Sequence, residues 1–223
     1  MHFNQKDKSM ESLIKNLIDN KNYEGLRKTL SQNPSLANEG LPYDEKNTAK
    51  AHPLHRICDG VYSKTFTDDE GLEMAKIFLE YGADINGGKL IEKQDTPLLA
   101  ASSLNADHVA LFYVDKGAAI NHPGCHGGTA LHWAAWCGRP VVVKKLIESH
   151  AALNKKCIDF QATPLFWAMH GWKSSDRKNI NDYVECVRLL VKAGADKTIP
   201  NVDGNTPLSL TEDGEVELKE LLS

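Results

Sequence analysis

The chain of 223 residues carries a formal net charge of −4, with 41% hydrophobic and 25% charged residues, which suits a chain able to bury a substantial core. No basic stripe marks a nucleic-acid binder, and no uninterrupted apolar run approaches the roughly 18 residues of a membrane helix. The opening MHFNQKDKSM lacks the apolar core of a secretory signal, and Cys58, Cys125, Cys137, Cys157 and Cys186 form no CxxC pair, so a cytoplasmic chain with free thiols is expected.

From the N-terminus, LIKNLIDNKNYEGLRKTLSQNPSLAN (residues 13–38) shows the periodicity of two paired helices. A helix start then recurs. It reads His52-Pro53-Leu54-His55, Thr96-Pro97-Leu98-Leu99, Thr129-Ala130-Leu131-His132, Thr163-Pro164-Leu165-Phe166 and Thr206-Pro207-Leu208-Ser209, at separations of 44, 33, 34 and 43. Threonine followed by proline is an N-cap with proline at the first helical position, where its missing N–H costs nothing. A second marker follows each of the first four starts: Gly82-Ala83-Asp84, Gly117-Ala118-Ala119, His150-Ala151-Ala152 and Gly194-Ala195-Asp196. The glycine suits a left-handed residue just past a helix end. Between the markers, segments such as VVVKKLIESH and ECVRLLVKAG repeat apolar residues at helical spacing. Each unit therefore predicts two short antiparallel helices and a turn, and such pairs bury their faces only by stacking on neighbours.

Departures from the pattern carry their own expectations. His52 stands where threonine would cap, so the first start is expected to be weakly capped. His150 stands where glycine is favoured, so it either adopts a left-handed backbone or ends its helix differently. From start to end marker the second and third repeats take 21 residues each, the first 30 and the fourth 31. The extra length is expected between the helices, near 60–71 and 171–182, with capping boxes at Thr67–Glu70 and Asp182–Glu185 restarting the second helices.

These paired markers resemble the ankyrin repeat, with its TPLH-type helix start and GAD-type end. The resemblance covers roughly residues 47–223, with a weaker match over 10–40. It implies an all-α ankyrin-repeat solenoid of stacked helix-turn-helix units joined by hairpin loops. Residues 1–46 are then an N-terminal tail and capping helix pair, and 47–223 four repeats plus a C-terminal cap, continuous with it as one domain. It also implies that His132 bonds the backbone of the adjacent turn, that Trp133 and Trp167 pack between repeats, and that the ends of the first helices face a concave groove.

The function expected on that basis is a non-enzymatic protein-protein interaction module, a monomer that needs no cofactor and binds a protein, not a nucleic acid or a membrane. All four tryptophans lie in the third and fourth repeats. Candidate partner-binding residues are Leu104, Trp136, Cys137, His170 and Trp172, with Trp136 and His170 side by side and Trp172 extending the surface; aromatic anchors dominate most interfaces. The alternative is a metal-binding protein or a Cys/His-dependent enzyme using the third repeat. HPGCHGG offers His122, Cys125 and His126, with Cys157 one repeat on, but no zinc-like spacing. Cys137 could be a nucleophile with His132 or His170, yet nothing supplies a third, orienting group. No catalytic, cofactor or metal residue is assigned.

Overall fold

The computed structural model describes residues 5–42, 49–175, 179–212 and 214–223. Positions 1–4 and 43–46 of the N-terminal segment and 176–178 of the second insertion lie outside these.

The helices follow the markers. A first pair, α1 (Gln5–Asp19) and α2 (Tyr23–Gln32), precedes a short antiparallel ribbon of β1 (Leu41–Pro42) and β2 (Lys50–Ala51). Four helix pairs then stack in order: α3 (Pro53–Tyr62) with α4 (Asp68–Glu80), α5 (Pro97–Ser103) with α6 (Asp107–Asp115), α7 (Ala130–Trp136) with α8 (Pro140–Glu148), and α9 (Pro164–Ser174) with α10 (Ile180–Lys192). A 3₁₀ turn (Pro207–Leu210) and α11 (Val216–Leu222) close the array. First helices pack on first helices and second on second, so one apolar cluster runs from Ile14 to Leu222.

The predicted caps form where the residue type allows. Thr96 Oγ1 accepts from Leu99 N–H at 3.4 Å, and Thr163 Oγ1 from Phe166 N–H at 3.3 Å. Thr67 and Glu70 make the expected reciprocal box, at 2.8 and 3.2 Å. Asp182 does not open a box: α10 begins earlier, behind Asn179 in a left-handed conformation (φ +56°), because Ile180 reaches the core and adds a turn. Much of the extra length of both long repeats is likewise helix, since α3 continues through Tyr62 and α9 through Ser174.

The expectation of a weak cap at His52 is corrected. Its Nδ1 accepts from Leu54 N–H at 3.2 Å, which leaves the proton on Nε2 to donate to Asn38 Oδ1 at 3.2 Å. An imidazole can cap a helix as threonine does, provided it stays neutral. His150 takes the left-handed backbone (φ +63°) that Gly82, Gly117 and Gly194 adopt in the other repeats. Lacking glycine's freedom there costs roughly 1–2 kcal/mol.

A second set of polar bonds sets the spacing of the repeats. The side-chain oxygens of Asn38, Asn86, Asn121 and Asn154 accept from the backbone N–H of Asp84, Ala119, Ala152 and Asp196, at 2.6–2.9 Å. Each bond joins one unit to the next, satisfying a backbone donor just past the end of a second helix.

His132 is fully buried. Its Nδ1 accepts from the Thr129 hydroxyl (2.9 Å) and N–H (3.0 Å), and its Nε2–H donates to Ala162 O in the next loop at 3.2 Å. Burial pulls the pKa of both His52 and His132 down to about 4. A folded pKa below the unfolded value of about 6.5 means the folded state binds fewer protons. The stabilisation is therefore complete above pH 6.5 and is lost as pH falls toward 4. For His132 the loss is on the order of 3 kcal/mol. Denaturation midpoints measured from pH 7.5 to 4.5 should drop steeply, and His132→Gln should flatten the curve by about one proton. An unchanged slope in that variant would show that His132 is not the titrating group.

Candidate functional site: an aromatic cleft between the third and fourth repeats

Two loops and two helices bring the aromatic residues together. In the loop before α7, His126 adopts a left-handed backbone (φ +56°) and its carbonyl accepts from Ile158 and Asp159 N–H at 3.1 and 3.2 Å. Gly127 (φ +70°) is required beside it, because a Cβ there would collide with Ile158. The loop before α9 is closed by Cys157, whose N–H donates to Ala162 O (2.9 Å) and whose sulfur lies 3.4 Å from Ala162 N–H. That loop carries Phe160, whose carbonyl accepts from Val202 N–H of the following loop at 2.9 Å. Three successive loop tips are thus bonded into one wall.

The floor is Trp167 on α9, only 4% exposed, with Phe166 beside it. These two form a small apolar cluster with Cys157 and Ala162, separate from the main core, against which Trp133, Trp136 and Leu210 pack. The rings of Trp133, Trp136 and Phe160 stand at 84°, 67° and 61° to Trp167, with centroids 5.1, 5.6 and 6.3 Å away. Edge-to-face pairs at such separations are the favoured geometry for aromatic rings. His170 stacks on the outer side of Trp136 at 4.7 Å and 17°, and its Nδ1 lies 3.2 Å from Ser174 Oγ. His126 lies 5.4 Å from Phe160 and bonds Asp159 at 3.0 Å. Together these residues enclose a cavity of about 390 Å³, with Asn201 and Asp203 at its rim. Phe160 remains 46% exposed.

The residues singled out from the sequence part company here. Trp136 and His170 lie side by side as expected, and both line the cleft. Cys137 lines a neighbouring polar hollow that shares only Trp136 with it. Leu104 is half-buried and packs against the main core. Trp172 does not extend the surface: it is 7% exposed and belongs to the main core, because α9 runs on past His170 and carries the ring inward. Gly171 permits this, since a Cβ would strike the backbone carbonyl of Trp136. Trp133 packs between repeats as expected, edge-on against Trp167, but it is only half-buried and also forms a wall of the cleft.

Sequence reasoning passed over Phe160 and weighed His126 only as a metal ligand. A signal existed. They stand three residues before the capping threonines Thr129 and Thr163, and Asp203 holds the same place before Thr206.

The residues of the rival readings are each engaged separately. His122 Nε2–H donates to Gln94 O at 2.9 Å, Cys125 N–H to Asp95 at 2.7 Å, and His126 pairs with Asp159. Among the described residues no group of three or more His, Cys, Asp or Glu could hold a metal. The Cys137 thiol donates to Ser103 O at 3.5 Å, and burial pushes its pKa up to about 11, so it stays protonated. All five cysteines are free, with Cys58, Cys157 and Cys186 buried. Alkylation without reductant under denaturing conditions should therefore modify five thiols, and mass spectrometry finding fewer would reveal a disulfide.

No helix among the described residues is long and apolar enough to cross a membrane. The chain is 31% identical over 91 residues to palmitoyltransferase Hip14 of Drosophila melanogaster, a match covering 41% of this chain and 13% of that protein. It is 29% identical over 170 residues to alpha-latroinsectotoxin-Lt1a of Latrodectus tredecimguttatus, covering 75% of this chain and 11% of the toxin. The family model for ankyrin repeats in three copies matches residues 66–157, and that for a single ankyrin repeat matches 161–202. With the helix pairs, loop tips and buried motif histidine already in place, the chain belongs to the ankyrin-repeat family.

Proposed function

We propose that the chain binds a segment of a partner protein in the aromatic cleft between its third and fourth repeats, and does no chemistry of its own. Ankyrin repeats imply a protein-interaction module. The observation that carries the finer reading is the cleft itself. Three tryptophans and two phenylalanines surround a hollow of about 390 Å³ whose tip residue Phe160 is half exposed. Concave apolar hollows with a few polar groups at the rim are the usual form of a recognition site, and tryptophan is the residue that most often anchors one. Cys137 borders the cleft through the hollow that shares Trp136, while Leu104 packs against the main core and has no part in the proposal.

The enzymatic alternative has less support. Cys137 carries a thiol held protonated, and His132 is committed to Thr129 and Ala162. The names of the two relatives describe a transferase and a toxin, but this chain matches 13% and 11% of them, so neither activity is carried over.

A photo-crosslinking amino acid placed at position 160 tests the reading in cells of the native host. The expected result is one dominant adduct, lost when Trp136→Ala is added. An adduct that survives that substitution, or one of equal strength from the exposed position 13 on the N-terminal helix pair, would place the partner elsewhere.

A further inference from the structure

We propose that the cleft receives the methylated ammonium of a lysine side chain on the partner segment. The inference rests on the docking reading above and adds to it the chemistry of the group that enters.

Three observations lead to it. The first is ring geometry. Trp133, Trp136 and Phe160 rise at steep angles from Trp167 around one hollow, so several π-systems border the same space. A cation within about 6 Å of a ring centroid is attracted by the ring quadrupole, most strongly for tryptophan, and the attraction grows where water is excluded. The second is charge. Among the described residues Asp203 is the carboxylate at the rim, and no lysine or arginine lines the cleft. The nearby Asp159 is already matched by Lys93 at 2.7 Å and His126 at 3.0 Å. Asp203, whose carboxylate accepts a neutral bond from Asn201 Nδ2 at 3.2 Å, is therefore the acid among the described residues whose charge is left to face an incoming cation.

The third is the scarcity of acceptors. An unmethylated ammonium brings three N–H donors, each needing a partner once water is displaced. The rim offers the Asp203 carboxylate, while Asn201 Oδ1 already accepts from Asp203 and Asn205 N–H at 3.1 and 2.9 Å. Among the described residues the walls offer aromatic carbon, the Ala162 methyl and indole or imidazole nitrogen. Replacing N–H by N–CH₃ removes the unmet donors, keeps the charge and covers the rings with apolar surface. The hollow, about 390 Å³, lies at the small end of the range for ligand sites, about 300–1,000 Å³, and admits a side-chain head with its stem. A peptide source is favoured over a free amine because Phe160 and Val202, 46% and 61% exposed, provide apolar surface at the mouth for flanking residues.

The test is NMR titration of ¹⁵N-labelled full-length protein at pH 8, above the ordinary imidazole range. The probes are acetyl-Ala-(trimethyl-lysine)-Ala amide, its unmethylated counterpart, its neutral tert-butyl isostere, and choline. The trimethyl peptide should shift the indole N–H signals of Trp133, Trp136 and Trp167 saturably and leave Trp172 in place. Its affinity should exceed those of the other three probes by roughly tenfold. Asp203→Asn should weaken it about threefold, as an exposed pair allows, and leave the isostere unaffected. An isostere that binds as tightly would overturn the cation inference while leaving the docking reading intact. Choline binding as tightly as the peptide would overturn the lysine source. Binding of the trimethyl peptide that persists in Trp136→Ala, or that moves Trp172 alone, would overturn the site.

Discussion

Trp167→Ala is expected to destabilise the protein by about 3–5 kcal/mol, the range for removing a buried large aromatic. Trp167 is 4% exposed and is the ring on which Trp133, Trp136, Phe160 and the buried His132 converge. Its removal leaves four partners without their common surface, and the T-shaped pairs are lost with it. Because each unit of the array contacts only its neighbours, the damage should be local. Hydrogen exchange should accelerate first in α9, α10 and α11, with α1 and α2 least affected. Trp167→Phe should recover part of the loss by refilling some of the volume. Exchange that rises evenly along the chain, or an alanine variant within about 1 kcal/mol of the parent by denaturant titration, would show that this ring does not hold the junction together.

Trp136→Ala should act mainly on binding. Its ring is half-buried, rests edge-on against Trp167 and is stacked on its outer side by His170. Truncation should reduce partner affinity by at least roughly 2 kcal/mol, about 30-fold, as for a central aromatic anchor. Stability should fall by about 1 kcal/mol, lowering Tm by roughly 2–4 °C in a chain of this size. Trp133→Ala belongs with it. Its half-exposed ring is expected to cost less than Trp167 in stability and also to weaken binding. His170→Ala separates stacking from contact: Trp136 keeps its floor but loses its outer cover, so a smaller binding loss is expected. Calorimetry of a partner against these variants checks the order, and normal binding by Trp136→Ala would refute the cleft.

The repeat architecture was legible because its signals are local. Threonine before Pro-Leu reports a cap, and glycine before Ala-Asp a left-handed turn, whatever lies elsewhere. The helix pairs and their order therefore follow from the chain alone, as does the pairing of Trp136 with His170, which are one period apart. The asparagine bonds were equally present in the sequence, as Asn86, Asn121 and Asn154 after an apolar residue, but their meaning lies in a donor some 30–40 residues away.

Burial of the individual tryptophans was another matter, decided only by tertiary structure. Trp133 and Trp167 occupy equivalent positions, yet one is a half-exposed wall and the other a floor. The difference arises because Phe160, Trp133 and Trp136 all converge on Trp167 from the preceding repeat and loop. Trp172 follows His170 by two residues, yet points into the core because α9 continues through it. His52 gains its cap from the orientation of an imidazole held by Asn38 across the ribbon. Periodicity along a chain fixes which residues form a helix and where it ends. Which face a large side chain covers is set by neighbours one repeat away and by loop tips bonded across the stack, and these contacts exist only once the units are assembled.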